Sequence, residues 1–365
     1  MKRVGAPVTV LIVDDSPSMR LLLNHVLGLD PRIQVLATVN DGQAAIDFLE
    51  GSTSRPDVVL MDIHMPRIDG FETTRRIMET HPLPIVICTA TADPHELQVA
   101  FRSMEAGAVA CVEKPAGYDD PRFDTAVQNL QQTVRLMAEV KVVRRWPKPR
   151  LAGARAPAPV PTPPARSSAP RIVGIGASTG GPPILQSILS ALPRDFPAPV
   201  LIVQHIARGF LSGMVEWLNQ TTGLHVHVAA HGAITSPGHV YIAPDDFHLG
   251  VTAVGRLVLS RDPPDGGLRP SVSFLFRSLA ENIGGNAVGV LLTGMGRDGA
   301  DELKRMRDRG ALTIAQDRET SVVHGMPGAA IEIGAAMQVL PADRIAAALL
   351  TELTRKIPQV GGVET

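Results

Sequence analysis

The stretch that most constrains the fold is a strand, a glycine-rich turn and a helix start in direct succession. Residues 171–175 (Arg-Ile-Val-Gly-Ile) are apolar and β-branched, which predicts a buried strand. Residues 176–180 then read Gly-Ala-Ser-Thr-Gly, and a glycine with two prolines that can open a helix follows. Glycines on both sides of Ser178 allow a turn tight enough to lift its hydroxyl above the sheet edge. This order is the context of a nucleophile elbow.

Two other interpretations fit the same pentapeptide. Gly174-x-Gly176 after a strand resembles a dinucleotide-binding fingerprint, but the spacing differs and the next strand ends in Gln204-His205 rather than in an acid. Ser178 could also be a plain helix N-cap. The pentapeptide alone leaves the choice open.

The composition is that of a globular protein with room for two domains. The chain has 365 residues, of which 44% are hydrophobic. Its formal charge of −1 gives no reason to expect nucleic acid as a partner. With no signal-peptide pattern and no apolar run near the roughly 20 residues of a bilayer span, we expect a cytoplasmic protein without direct membrane insertion. Cys88 and Cys111 are the only cysteines, so neither a disulfide framework nor a zinc site is expected.

Residues 1–140 alternate apolar strand patterns with helical patterns, which predicts an α/β domain with a parallel sheet covered on both faces. The last helix is predicted over residues 121–140. The predicted strands lie near residues 8–13, 33–39, 57–61, 84–88 and 108–112.

Polar residues follow the predicted strands, at the sheet edge where such domains bind ligands. Converging carboxylates require a hard divalent cation, and oxygen ligands suit Mg²⁺. A lysine and a hydroxyl nearby could hold a phosphoryl group, with one aspartate as its acceptor. Any one aspartate could instead be a helix N-cap, but five such residues at strand ends favour a phosphoryl-transfer site. They are Asp14, Asp15, Asp62, Thr89 and Lys114.

Four segments of this half carry a family resemblance: LIVDDSPSMR, VVLMDIHMPRIDGFET, PIVICTAT and ACVEKP. Over about residues 7–138 they resemble a two-component receiver domain. The resemblance implies a flavodoxin-like (βα)5 fold, a histidine kinase as partner, and Asp62 as the phosphoacceptor. It also implies Mg²⁺ bound by Asp14, Asp15, Asp62 and the backbone carbonyl of His64.

Three further residues of this half are assigned by the same resemblance. Thr89 is implied as the switch hydroxyl and Lys114 as a phosphate contact, with a cis peptide bond between Lys114 and Pro115. Cys111 stands where the family usually has an aromatic switch residue. This departure bears on how phosphorylation is read out, not on whether it occurs.

Residues 141–170 are predicted to be a linker. From Trp146 onward the composition shifts to Pro, Ala, Arg and Ser, which cannot bury a core and favours an extended, semi-rigid tether. Docking of an SH3-like partner on the prolines is the alternative.

Residues 171–355 predict a second α/β domain with a mainly parallel, Rossmann-like sheet. Shorter strands and hairpins are predicted for residues 225–262. The other predicted strands lie at 199–203, 287–292 and 311–316, and the helices at 210–219, 271–283, about 300–309, after Gly325 and at 341–355.

Three predicted strand ends in this half carry Ser178, His205 and Asp298. A serine hydroxyl becomes a nucleophile when a base removes its proton, and the base needs a carboxylate to orient it. Glycines around Met295 leave backbone amides accessible for an oxyanion hole. His324 is the main rival base and Asp317 a rival acid. The remaining histidines are expected to be structural or exposed: His225, His227, His231, His239 and His248.

Seven segments resemble the chemotaxis protein-glutamate methylesterase (CheB-type) family over about residues 171–350: VGIGASTGG, IVQHI, YIAPDDFHL, RPSVSFLF, GVLLTGMGRDGA, TIAQD and VVHGMP. The resemblance implies Ser178 as nucleophile, His205 as general base, Asp298 as its orienting partner and the Met295 amide as an oxyanion donor. It implies no cofactor for the esterase. The implied substrates are glutamate methyl esters, with some glutamines, on the cytoplasmic helices of methylated chemoreceptors.

We expect a response regulator whose receiver controls a serine esterase. Our hypothesis for the control is that the unphosphorylated receiver covers the cleft and that phosphorylation favours the open form. The alternative is a non-catalytic, phosphorylation-controlled binding partner, which would not require a serine, a histidine and an aspartate at three strand ends. A DNA-binding response regulator would require a basic helix-turn-helix, and none is visible.

Overall fold

The computed structural model describes residues 6–89, 94–140 and 171–354. These residues belong to two compact units, each built around its own parallel sheet. The predicted linker, residues 141–170, lies outside the described residues.

The first unit is an alternation of five strands and five helices, as predicted. Its elements are β1 (Val8–Val13), α1 (Pro17–Gly28), β2 (Ile33–Val39), α2 (Gly42–Gly51), β3 (Val58–Met61), α3 (Gly70–Thr80), β4 (Ile85–Thr89), α4 (Pro94–Ala106), β5 (Ala110–Glu113) and α5 (Phe123–Met137). The strands pair in parallel in the order β2-β1-β3-β4-β5. Every residue of β3 and β4 is buried, because helices cover both faces of a parallel sheet.

The second unit contains a seven-stranded sheet and a separate two-stranded hairpin. The elements of this half of the chain are β6 (Ile172–Ala177), α6 (Gly181–Ser190), β7 (Val200–Gln204), α7 (Leu211–Thr221), β8 (His225–Val228), β9 (His239–Ile242), β10 (His248–Val251), β11 (Leu257–Ser260), α8 (Val272–Asn282), a 3-10 turn (Gly284–Asn286), β12 (Ala287–Leu291), α9 (Ala300–Asp308), β13 (Leu312–Gln316), α10 (Met326–Glu332), β14 (Gln338–Leu340) and α11 (Ala342–Thr354). The segment Ile206–Trp217, which includes most of α7, belongs to the first unit.

The large sheet has the order β14-β13-β12-β6-β7-β9-β8, and all its strand pairs are parallel. The hairpin β10-β11 is antiparallel. The predicted mainly parallel α/β sheet is therefore confirmed. The strand β14 was not predicted, because its three partly exposed residues form an edge strand too short to show a pattern.

Two glycines of β6 allow α8 to pack directly on this strand. A Cβ built at Gly174 would lie 2.3 Å from Leu279 Cδ1, and one built at Gly176 would lie 2.3 Å from Val272 Cγ1. Because no side chain separates the two elements, the first turn of α8 reaches the carboxyl edge of the sheet. This packing brings the N-terminus of α8 to the candidate site.

The Lys114–Pro115 peptide bond was expected to be cis, and this expectation is wrong. Among the described residues, only the Arg269–Pro270 bond is cis. Within the described ranges, the structure contains no helix with the length and apolar character of a membrane span.

Candidate active site

The second unit brings Ser178, His205 and the loop after β12 together at one edge of its sheet. The strands β12, β6 and β7 are neighbours, and Ser178 and His205 directly follow β6 and β7. The His205 backbone N–H donates to the Ala177 carbonyl at 2.9 Å. The Ser178 N–H donates to the Thr293 carbonyl at 3.0 Å. Backbone hydrogen bonds therefore tie all three strand ends to one another.

The turn at Ser178 has the geometry of an elbow. Gly180 has a φ of +75°, and a Cβ built there would lie 2.4 Å from Val322 Cβ, so only glycine suits this position. The Gly181 N–H closes the turn on the Ser178 carbonyl at 2.8 Å. The N-cap of α6 is Gly180, which excludes the interpretation of Ser178 as the N-cap. The half-buried Ser178 lies just before the helix start, where backbone N–H groups favour negative charge.

His205 and Asp298 form the ionisable pair of this site. His205 Nε2 lies 3.0 Å from Asp298 Oδ2, with side-chain exposures of 14% and 8%. The contact lacks the alignment of a linear hydrogen bond. Such misalignment is common in catalytic pairs before a substrate is bound.

The carboxylate of Asp298 is held by the first turn of α8. Asp298 Oδ2 accepts from the Val272 N–H at 2.7 Å, and Oδ1 accepts from the Ser273 N–H and the Ser271 hydroxyl, both at 2.9 Å. A helix N-terminus is a favourable environment for a carboxylate. The orientation of Asp298 is therefore set by α8, an element distant from it in the sequence.

These contacts also determine the protonation state of Asp298. Burial by itself raises the pKa of this carboxyl, but the His205 contact and the Ser273 donors outweigh it and lower the pKa to about 2. Asp298 is therefore ionised at neutral pH. An ionised carboxylate can orient an imidazole and stabilise its protonated form.

Met295 lies in the loop packed against Ser178. A Cβ built at the preceding residue, Gly294, would come within 2.7 Å of Ser178 Cβ. Gly296, on the other side, has a φ of +81°. The loop thus approaches the serine at Gly294, and such a close approach of the main chain is what an oxyanion hole made of backbone amides requires.

The rival histidines have other contacts. His324 Nδ1 contacts Ser321 Oγ at 3.3 Å, and burial lowers the pKa of this histidine. The buried His248 stacks on Phe274, and its Nε2 lies 3.2 Å from a backbone carbonyl. The histidine in contact with Asp298 is His205. His231 Nδ1 accepts from the Leu259 N–H at 3.1 Å. The remaining three form one group on β8 and β9, in which His227 Nε2 and His239 Nδ1 are 2.9 Å apart and the His225 and His239 ring centroids are 5.0 Å apart.

A second cluster of ionisable residues lies in the first unit. The carboxylates of Asp14, Asp15 and Asp62 have oxygens within 4.8 Å of one another, and no other group of three or more potential ligands is found in the described ranges. Lys114 Nζ lies 2.8 Å from Asp14 Oδ2 and 2.9 Å from Asp62 Oδ2. Ser16, not an aspartate, caps α1, which argues against the N-cap interpretation of Asp14 and Asp15. The oxygen donor set fits the preference of Mg²⁺.

Burial and charge set the protonation of this cluster. Burial raises the pKa of the Asp62 carboxyl, assisted by Asp14 and opposed by Lys114. Burial by itself lowers the pKa of the Lys114 ammonium. The contacts with Asp14 and Asp62 outweigh burial, and the pKa is raised above its ordinary value. Two carboxylates around one ammonium leave the cluster with negative charge that a cation can compensate.

The other predicted residues of the first unit lie on β4, on β5 and in the loop after β3. Thr89 is buried at the end of β4, and its carbonyl accepts from the Lys114 N–H at 2.9 Å. His64 is exposed two residues after Asp62. Cys111 is partly buried in β5, where burial raises the pKa of its thiol well above the usual range.

Several residues that were not predicted from the sequence hold the predicted ones in place. Gln204 and Gln316 are buried amides at the ends of β7 and β13, and both bond to the loops of the site. Arg20 donates to the carbonyls of Asp14 and Asp15 at 2.7 and 3.0 Å. Ser271 is the N-cap of α8, and a serine at this position is a recognisable helix-start signal. The bond from its hydroxyl to Asp298 leaves no signal in the sequence.

Comparisons with known proteins cover both units. The response regulator receiver domain model matches residues 10–127, and the CheB methylesterase model matches residues 173–349. Protein-glutamate methylesterase/protein-glutamine glutaminase 4 of Geobacter metallireducens is 53% identical over 346 residues, or 94% of this chain and 98% of the relative. Protein-glutamate methylesterase/protein-glutamine glutaminase of Nitrosospira multiformis is 51% identical, over 94% of this chain and 96% of the relative. The crystal structure of the Thermotoga maritima CheB methylesterase catalytic domain is 42% identical and covers 50% of this chain and 98% of that chain, with a TM-score of 0.49.

The two long alignments span both units at more than half identical residues, and each half of the chain matches its own family model. The fold predicted for each half is also the fold observed. This chain therefore belongs to the family of protein-glutamate methylesterase/protein-glutamine glutaminase enzymes, hydrolases in which a response regulator receiver domain precedes a CheB methylesterase domain.

Proposed function

We propose that this protein is a phosphorylation-regulated serine esterase that removes methyl groups from glutamate methyl esters, and deamidates some glutamines, on methyl-accepting chemoreceptors. The observation that carries the proposal is the convergence of Ser178, His205 and Asp298 at three neighbouring strand ends, with Asp298 ionised. A binding module would need none of these three groups.

The reaction proceeds through an acyl-enzyme. Ser178 Oγ attacks the side-chain acyl carbon while His205 takes the hydroxyl proton. The same proton passes to the leaving group, which departs as methanol from an ester or as ammonia from an amide. Water then attacks the acyl-serine, gives up a proton to His205, and releases the glutamate side chain as the serine regains its hydrogen.

Asp298 and Met295 assist without exchanging protons. The Asp298 carboxylate stabilises the imidazolium that forms on His205 at each proton transfer. The backbone N–H of Met295 donates to the oxyanion of the tetrahedral intermediate, aided by the N-terminus of α6. A single donor of this kind contributes about 3–4 kcal/mol in serine hydrolases.

The receiver supplies the control. Asp62 accepts a phosphoryl group from a histidine kinase of a chemotaxis-type two-component system. Mg²⁺ would be held by Asp14, Asp15, Asp62 and the His64 carbonyl, and when bound it neutralises charge on the transferred phosphoryl group. Lys114 and the Thr89 hydroxyl contact the phosphoryl oxygens. We infer that residues 1–140 act as the regulatory domain, 141–170 as a tether and 171–355 as the catalytic domain, in a cytoplasmic protein.

The test is methanol release from methylated receptor membranes by wild type, Ser178→Ala and Ser187→Ala. Ser187 is a matched control because it is exposed on α6. We expect release by wild type and Ser187→Ala, no release by Ser178→Ala, and an increase when a small acyl phosphate and Mg²⁺ are added. Release that persists in Ser178→Ala would overturn the assignment of the nucleophile.

The same experiment separates the alternative function. A non-catalytic binding partner would release no methanol in any variant, with or without the phosphodonor. Activity that ignores the phosphodonor would retain the esterase and overturn its regulation, with Cys111 as the first residue to examine.

A further inference from the structure

Gln204 is a buried amide that joins the main chain at Ser178 to the main chain at His205. It is the last residue of β7 and is 4% exposed. Its Nε2 donates to the Ser178 carbonyl at 2.9 Å and to the His205 carbonyl at 2.7 Å. A side-chain amide has two N–H donors, so both are used on these two carbonyls.

The absence of a side chain at Gly181 leaves space for the Gln204 amide. A Cβ built at Gly181 would lie 2.1 Å from Gln204 Oε1, so a side chain at position 181 would displace the amide. The Gly181 N–H also donates to the same Ser178 carbonyl, at 2.8 Å. The carbonyl of Ser178 is therefore held from two directions, by the start of α6 and by the end of β7.

Gln316 offers an internal comparison. It is the last residue of β13 and is also fully buried. Its Oε1 accepts from the Thr293 N–H and its Nε2 donates to the Thr320 carbonyl, both at 2.8 Å. Both glutamines thus brace loops at the carboxyl edge of the sheet, but only Gln204 links the two residues that exchange a proton.

We propose that Gln204 is a positioning residue for the esterase reaction: it fixes the distance between the Ser178 and His205 backbones. This inference rests on the proposed roles of Ser178 and His205. With both main-chain segments held, only side-chain torsions remain to bring the hydroxyl and the imidazole together. A misplacement of about 1 Å between reacting groups can cost about 100-fold in rate.

The experiment compares wild type with Gln204→Met, which keeps the length of the side chain and removes both donors. We expect kcat for methanol release to fall about 10- to 100-fold, with KM within about twofold, because substrate contacts are retained. The control is Thr313→Val, which removes a buried hydroxyl bonded to the Ala335 carbonyl at 2.7 Å, away from Ser178. Thr313→Val should lower the melting temperature and leave kcat unchanged.

A second variant keeps the proposal testable if Gln204→Met does not fold. Gly181→Ala retains Gln204 but displaces its amide, and we expect the same fall in kcat with an unchanged KM. The double variant should be no slower than the slower single variant, because both changes act on one bridge. As a second readout, the rate at which a small sulfonyl fluoride labels Ser178 should fall in parallel with kcat.

The outcomes distinguish this inference from the proposed function. A folded Gln204→Met or Gly181→Ala variant with kcat within twofold of wild type would overturn the positioning role and leave the esterase intact. An equal fall in kcat in Thr313→Val would also overturn it, since general destabilisation would then explain the loss. An inactive wild type whose Ser178 is not labelled would overturn the proposed function, and this inference with it.

Discussion

His205 Nε2 lies 3.0 Å from an Asp298 oxygen that also accepts the Val272 N–H at the start of α8. One carboxylate therefore contacts the proposed base and accepts hydrogen bonds from the first turn of a core helix. Catalytic orientation and helix stability are coupled through this group. Changes at Asp298 should alter both, and two measurements can separate them.

Replacing Asp298 with Asn should lower kcat about 100- to 10,000-fold, because a neutral amide neither holds the reactive tautomer of His205 nor stabilises its protonated form. Because an amide oxygen can still accept from the N–H groups of α8 but carries no charge, the free energy of unfolding at neutral pH should fall by about 2 kcal/mol. Methanol release and urea unfolding measure the two effects. The control is Asp308→Asn on α9, an exposed residue paired with Lys304 at 3.6 Å. Nearly full activity in Asp298→Asn would contradict the orienting role.

The stability that Asp298 contributes should depend on pH in a defined direction. Its pKa is about 2 in the folded protein against an ordinary value of 3.8, so the folded state prefers the ionised form. The contribution is fully present above the ordinary value and is lost as the pH falls from about 4 towards 2. The shift corresponds to about 2 kcal/mol.

Urea unfolding of wild type and Asp298→Asn between pH 6 and pH 3 tests this dependence. The difference in free energy of unfolding between the two proteins should shrink as the pH falls. A difference that stays constant over this range would show that the carboxylate is not stabilised in its charged form.

Removing divalent cations with EDTA should prevent phosphorylation by a small acyl phosphate and leave basal methanol release unchanged. The carboxylates of Asp14, Asp15 and Asp62 converge in the receiver, whereas the esterase groups belong to the other unit.

Asp14→Asn should weaken Mg²⁺ binding at least about tenfold, or about 1.4 kcal/mol, because it removes a charged oxygen ligand. Calorimetric titration with MgCl₂ measures the affinity, and Asp47→Asn, an exposed acid on α2, is the matched control. Equal affinities in the three proteins would place the cation elsewhere.

Replacing Gly294 with Ala should disturb the oxyanion loop. The new Cβ would lie 2.3 Å from Met326 Sδ and 2.7 Å from Ser178 Cβ, so the loop and the serine must separate. We expect a loss of about 1–3 kcal/mol in stability and a 10- to 100-fold fall in kcat. Gly285→Ala serves as control, because its Cβ would meet its neighbours only at 3.6 Å or more. Thermal unfolding and methanol release would show the contrast, and similar behaviour of both variants would refute the close contact of loop and serine.

Much of the architecture was readable in the sequence because local patterns determine it. All five strands of the first unit and the strands β6, β7, β12 and β13 were predicted with bounds within about two residues of those observed. Buried strands of parallel sheets are continuous apolar runs, and such runs are easily recognised. The exposed edge strand β14 has no such run and was missed.

Local sequence patterns also showed which residues end the strands, and therefore that Ser178, His205, Asp62 and Lys114 would face a sheet edge. The contacts that hold these residues there depend on the tertiary structure. The strand order places β6 between β12 and β7. Asp298 accepts a hydrogen bond from Val272 at the start of α8, which lies 26 residues earlier in the chain. The Gln204 amide bonds to Ser178, which is also 26 residues earlier. Such contacts depend on strand order and on which helix lies over which strand. Neither leaves a periodic pattern in the chain, because each is settled by packing between segments far apart in sequence.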